Sequence, residues 1–280
     1  MSLSYSNLPV YVGAANASTI TENTAYVPAL QAGVDFTANI SPKRVLGESV
    51  STTDQFKVSE PMGVNITLKA VLDPFAQDAF AFANSSNHDA YFPIKVGDNV
   101  YQKCYLNDFG VSVSNFNPVS LRASFICLDP PTGGNVSGDA TPYGGGTIPF
   151  DSDDIIYGYN CTFTNPTDVV GDVQYRVEYN KKFSRTPIYT LGSINAGSML
   201  LNGVNAEMTI SSTGLNKLIN FSGEQLASNV SLALTNIDGT SLSSLPSLTM
   251  SAGSKVATEG YSIDGGDTLA TSATIRQIIL

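Results

Sequence analysis

Apolar and polar residues alternate along most of this 280-residue chain, and a period of two marks strands with one buried face. Val34, Phe36, Ala38 and Ile40 share one side of a first such stretch. Val64, Ile66, Leu68, Ala70 and Leu72 share one side of a second. Val111 and Val113 follow, then a turn at Asn115-Phe116-Asn117-Pro118, then Leu121, Ala123, Phe125 and Cys127. One helix is predicted to interrupt these strands. Asp73 suits an N-cap, Pro74 suits the first helical position, and Phe75, Ala79 and Phe82 fall on one face.

The pattern then stops and restarts. From Pro130-Pro131-Thr132-Gly133-Gly134 to Gly144-Gly145-Gly146 the chain is predicted to lack regular structure and to act as a linker. Beyond it Tyr157, Tyr159, Cys161 and Phe163 alternate, and Val173, Tyr175, Val177 and Tyr179 match the strand at Val34. Gly63-Val64-Asn65 and Gly203-Val204-Asn205 each open a strand, 140 residues apart. Gly110-Val111-Ser112-Val113 corresponds to Gly260-Tyr261-Ser262-Ile263, 150 residues on. A second helical stretch, Leu215, Leu218 and Ile219, is stopped by Gly223 where the first half has its Asp73 helix. Both halves close on a strand, at Leu128 and Leu280. The expected architecture is mainly β, with two tandem barrel or sandwich domains, each carrying one short helix. Residues 1–132 form the first, 133–148 a Gly/Pro-rich linker and 149–280 the second.

The chain has 14 Lys and Arg against 24 Asp and Glu, a net charge of −10. That balance argues against a protein that grips nucleic acid by neutralising phosphates. No apolar run approaches the roughly 20 residues of a membrane span. Met1–Asn7 lacks the basic and apolar regions of a signal peptide, so an intracellular origin is expected. Cys104, Cys127 and Cys161 include no Cys-x-x-Cys pair and read as reduced, buried thiols.

Catalytic equipment is not evident. His88, the only histidine, lies in Asn87-His88-Asp89 without a nucleophile motif and reads as a solvated loop residue. Asp151-Ser152-Asp153-Asp154 lacks the Gly and distal Glu of a calcium loop and reads as a solvated turn. The glycines at 144–146 precede no Gly-Lys-Ser/Thr sequence, so they form no phosphate loop. Neither an enzymatic activity nor a metal or cofactor is expected. Tyr143, Tyr157 and Tyr159 are the candidates for a carbohydrate-binding surface, a case weakened by the absence of Trp.

In element order and texture, Phe36–Leu72 with its helix, Gly110–Leu128, Tyr175–Phe221 and Gly260–Leu280 resemble the tail-tube proteins of bacteriophages. Arg185-Thr186-Pro187-Ile188-Tyr189-Thr190-Leu191-Gly192-Ser193 looks like a tube hairpin. The resemblance implies a virion protein, made in the host cytoplasm and placed in the tail. Its partners would be itself and other tail proteins such as a sheath. Its rings would stack into a tube through which DNA passes without specific binding. Most members carry one domain in hexameric rings; two domains here imply a trimer of pseudo-sixfold symmetry, or a hexamer with an extra domain. A tube-like baseplate or tail-terminus protein present in one ring is the alternative. The acidic balance leads to the expectation of a channel wall that repels phosphate. The hairpins Lys43–Glu60 and Lys181–Asn202 are the expected contacts between subunits or rings, through Lys43, Arg44, Glu48, Asp54, Lys57, Lys181, Lys182, Arg185, Asn195 and Asn202.

Overall fold

A computed structural model describes residues 10–20, 26–37, 40–42, 56–58, 63–72, 80–84, 87–129, 132–133, 155–164, 173–191, 193, 195–213, 223, 225–235, 248–263 and 269–280. Its strands in the first half are β1 (Val10–Val12), β2 (Tyr26–Val27), β3 (Ala29–Thr37), β4 (Ile40–Pro42), β5 (Phe56–Val58), β6 (Gly63–Val71), β7 (Tyr91–Val96), β8 (Asn99–Ser114), β9 (Ser120–Cys127) and β10 (Thr132–Gly133). The second half contributes β11 (Thr162–Thr164), β12 (Val173–Tyr189), β13 (Ala196–Thr213), β14 (Val230–Ala233), β15 (Leu248–Met250), β16 (Lys255–Ile263) and β17 (Leu269–Ile278). The fold is mainly β, as the alternation implies, and every strand pairing is antiparallel.

In the first half β3 pairs with β6, β6 with β9 and β9 with β8. In the second half β12 pairs with β13, β13 with β17 and β17 with β16, the same order of first, second, last and next-to-last strand. The two sets are joined directly, because β8 also pairs with β12. Alternation explains the layering. Along β6 the side chains of Val64, Ile66, Leu68 and Ala70 are buried while Asn65, Thr67 and Lys69 are exposed. One continuous core collects Ile66, Phe125 and Val111 from the first half with Val177, Met208 and Ile275 from the second.

Two smaller sets of elements cover that core. The first half's set is β7 and β1 with the helix α1 (Ala81–Asn84). Phe82 meets Phe92 and Phe125 edge to face, with ring centroids 6.2 and 5.2 Å apart, a geometry that suits the ring quadrupoles. The second half's set is the three-stranded sheet β11-β14-β15, whose Leu232, Leu248 and Met250 join the same core. The predicted helix start at 73–79 and the second helix at 215–219 lie outside the described residues, as do Asp151–Asp154. Gly223 has φ +100°, the left-handed conformation that lets a chain turn sharply.

Two sequence expectations are corrected here. Thr132 and Gly133 are not irregular: they pair with Val100 and Asn99 as β10. The remainder of the expected linker, 134–148, lies outside the described residues. The long loop expected between Lys181 and Asn202 is mostly strand, since β12 runs on to Tyr189 and β13 starts at Ala196.

Candidate assembly surfaces

β8 is long enough to serve two neighbours on one edge. Its first part pairs with β7, and its second, Asp108–Ser114, pairs with Lys182–Arg176 of β12. At this seam Arg122 of β9 reaches across β8 to donate a hydrogen bond from Nη2 to Asn180 Oδ1, 2.7 Å away. Gly110 lies beneath that bridge: a Cβ there would sit 2.4 Å from Asn180 Oδ1 and 2.8 Å from Arg122 Nε. Glycine is needed for the close approach.

Bulges set the correspondence between the halves. Leu30 is the extra residue in β3 and Tyr175 in β12; Asn107 is the extra residue in β8 and Ala257 in β16. With these aligned, the ladders coincide: Gln31–Lys69–Arg122–Gly110 in one half answers to Arg176–Ser211–Ser272–Gly260 in the other. Gly110 and Gly260 correspond, as their sequence contexts indicate. Two other sequence matches are out of register. Val34 corresponds to Tyr179 and not Val173, and Gly63 to Asn205 and not Gly203.

β3 and β12 therefore hold equivalent places with different surroundings. On the core side of β12 Val177 and Tyr179 are each 4% exposed and Phe183 5%, and Lys181, the counterpart of Phe36, is half-buried. Ala32, Val34 and Phe36 lie on the same side of β3, yet Ala32 is exposed, Val34 only half-buried and Phe36 60% exposed. The difference is the neighbour: β12 has β8 beside it, while among the described residues β3 has β6 on one edge and no strand on the other. β16 is the matching open edge at the far end of the sheet. Its start is tied to Gly223 and Gln225, but among the described residues Thr258–Ile263 pairs only with β17.

Beyond the seam β12 and β13 continue as a two-stranded arm. Its apolar tip is open to solvent, with Ile188 and Tyr189 each 47% exposed and Leu191 fully so. The root of the arm is anchored by Arg185. Nε donates to Leu106 O at 3.0 Å and Nη2 donates to His88 O. The guanidinium lies 5.4 Å from the Tyr105 ring and 5.5 Å from that of Phe183, with Asp89 3.9 Å away. Arg185, expected as a contact residue, is instead an internal clamp with its side chain almost wholly covered. His88 is corrected likewise: it is half-buried, its ring 5.6 Å from Phe183. Burial holds its pKa below the ordinary 6.5, and the Lys181 and Arg185 charges push the same way.

The other expected contact residues separate into groups. Lys43, Arg44, Glu48 and Asp54 lie outside the described residues, and Lys57 sits opposite Ser41 in the β4–β5 pair. Lys181 is half-buried over the Phe183 ring, and burial lowers its pKa. Lys182 is exposed. Asn195 and Asn202 lie in the arm, where Asn202 Nδ2 donates to Thr186 Oγ1 and Asn195 N to Ser193 Oγ.

The solvated face of the eight strands β3-β6-β9-β8-β12-β13-β17-β16 is a further surface. A cavity of about 1130 Å³ opens on it, lined by Arg122, Asn180, Lys182, Glu207, Lys255 and Arg276. Among the described residues the charged positions on this face are Lys69, Arg122, Arg176, Lys182, Lys255 and Arg276 against Asp35, Asp108, Glu178 and Glu207. Arg276 pairs with Glu207 at 2.7 Å and Arg176 with Glu178. The remainder is largely Ser, Thr and Asn. The acidic lining expected from the net charge is thus not what this face carries.

Among the described residues, Cys104 and Cys127 face each other across β8 and β9 as free, buried thiols with Sγ atoms 2.6 Å apart. Burial raises the Cys104 pKa well above its ordinary value, and the contact with Cys127 adds to this. Tyr157 and Tyr159 stack on each other, 5.4 Å between centroids, and Tyr143 lies outside the described residues. No helix among the described residues is long and apolar enough to cross a membrane. No protein-family model and no curated protein matches this chain.

Proposed function

We propose that this protein is a structural subunit of a phage tail tube, whose rings stack into the channel for genome delivery. The observation that carries this reading is the β8·β12 seam with its two unmatched ends. Two four-stranded units meet edge to edge within one chain, and among the described residues the same kinds of edge stay open at β3 and β16. An open strand edge is a hazard unless something pairs with it, and repeating the seam between chains removes both edges at once. The halves lie side by side in one sheet, which favours both contributing to one ring and therefore a trimer of six units.

The core side of the sheet is occupied by α1, β7, β1 and the three-stranded sheet, so only the solvated face is free to line a channel. Its hydroxyl and amide side chains, with cations and carboxylates nearly balanced, offer DNA a hydrated wall in place of the repulsive one expected from net charge. The exposed apolar side chains at the tip of the β12–β13 arm suit contact with the next ring, since such side chains grouped together are a common mark of an interface. Negative-stain microscopy of the purified protein tests the reading. Rings or tubes with a central hole are the expected image; a monomer at every concentration would remove it.

A further inference from the structure

We infer that β3 of one copy pairs antiparallel with β16 of the next, in the register that β12 and β8 use within the chain. The inference rests on the ring-forming reading above and deepens it by naming the edges and the residues that meet.

Three observations converge on it. First, the bulge-aligned correspondence places Ala32–Thr37 where Val177–Lys182 sit, and Thr258–Ile263 where Asp108–Val113 sit. Transferring the seam then sets Thr37 against Thr258, Asp35 against Gly260 and Val34 against Tyr261 of the neighbour. The glycine of the seam recurs at the matching place, since Gly110 faces Asn180 and Gly260 would face Asp35. The valine–tyrosine pair also recurs with its members exchanged, because Val111 faces Tyr179.

Second, the exposed apolar side chains lie where the missing strand would cover them. Phe36 is 60% exposed and its partner on β6, Val64, is buried. In this register Phe36 stands opposite Glu259 and diagonal to Tyr261, and covering its ring with that strand supplies the hydrophobic part of the contact.

Third, the stagger permits closure. The row that starts at Gln31 crosses four strands to Gly110, whose partner Asn180 corresponds to Asp35. The ladder thus climbs about four residues for every four strands. A shear equal to the strand number is the ratio at which barrels close with strands tilted about 36°. Because β3 and β16 are different surfaces, the contact is heterologous, and with this stagger repeated it returns on itself as a ring.

Cysteines at Thr37 and Thr258, both exposed, test the register in the full-length chain with Cys161 replaced by Ser. Seven strand spacings of about 4.8 Å separate the two edges, so one chain cannot join its own pair without closing the sheet on itself. Mild oxidation of the Thr37→Cys/Thr258→Cys variant is expected to give a ladder of disulfide-linked oligomers on a non-reducing gel. Thr37→Cys/Ser262→Cys, displaced about 13 Å along β16, is expected to give at least tenfold less, and Thr37→Cys alone none. Rings seen by microscopy without this cross-link would overturn the edge assignment and leave the tube reading standing. Dimers from Thr37→Cys alone would overturn it in favour of β3 meeting β3, and an internal cross-link in favour of self-closure. A monomer with no cross-link would overturn both readings.

Discussion

β12 and β3 are equivalent strands with opposite fates. Each is the first strand of its four-stranded unit and each turns apolar side chains to the core side. In β12 those side chains are buried under a sheet that continues into β8; in β3, among the described residues, the sheet stops. Burial of a strand's face is decided by the strand beside it as much as by its own sequence. The exposed Phe36 on edge strand β3 is the side chain that the proposed neighbour would cover.

The largest expected effect breaks this comparison directly. Phe183→Ala removes a buried ring from the core side of β12, just past the seam, and should cost about 3–5 kcal/mol in chemical denaturation. Phe36→Ala, on the open edge, should change the stability of the isolated chain by less than about 0.5 kcal/mol while weakening assembly. Equal losses in the isolated chain would mean that β3 is already covered.

Arg185→Ala comes next. It strips donors from Leu106 O and His88 O and removes a cation from between two rings. A loss of about 2–4 kcal/mol in the denaturation midpoint analysis is expected, with the arm becoming the most protease-sensitive part of the chain. The two glycines separate the seam from the open edge more gently. Gly110→Ala drives a methyl group into the Arg122–Asn180 bridge and should cost about 1–3 kcal/mol. Gly260→Ala meets nothing nearer than Ser272 Oγ at 3.6 Å and should be nearly neutral in the isolated chain. The smallest effect is the pH dependence at His88. Its folded pKa is depressed below 6.5, so below that pH the unfolded chain binds more protons and stability falls as pH falls. His88→Asn should flatten the denaturation midpoint between pH 7 and pH 5, relative to the parent protein.

Local periodicity made the strands legible. Val64, Ile66, Leu68 and Ala70 announce β6, Leu121 to Cys127 announce β9, and Gly110 and Gly260 share both sequence context and structural place. The seam was not legible, because alternation says which way a side chain points and nothing about which distant strand lies alongside. The short motifs at Gly63 and Gly203 misled by two residues for the same reason: register is a property of ladders and their bulges, Leu30 and Tyr175, which carry no signature in the chain. Arg185 and Lys181 look like inter-subunit contact residues in the sequence because long cationic side chains look polar there. Their stems and heads can lie on aromatic rings when a strand carries them inward. A net charge of −10 could not say where the carboxylates stand, and the sheet's solvated face proved nearly balanced.

Hydrogen exchange on dilute and concentrated protein tests the central claim most directly, because it reads each strand edge separately. On assembly, amides of β3 over Ala29–Thr37 and of β16 over Thr258–Ile263 should gain protection together. Those of β8 and β12 at the seam should already be slow and should not change. Assembly that protects other segments while β3 and β16 keep their exchange rates would contradict the account.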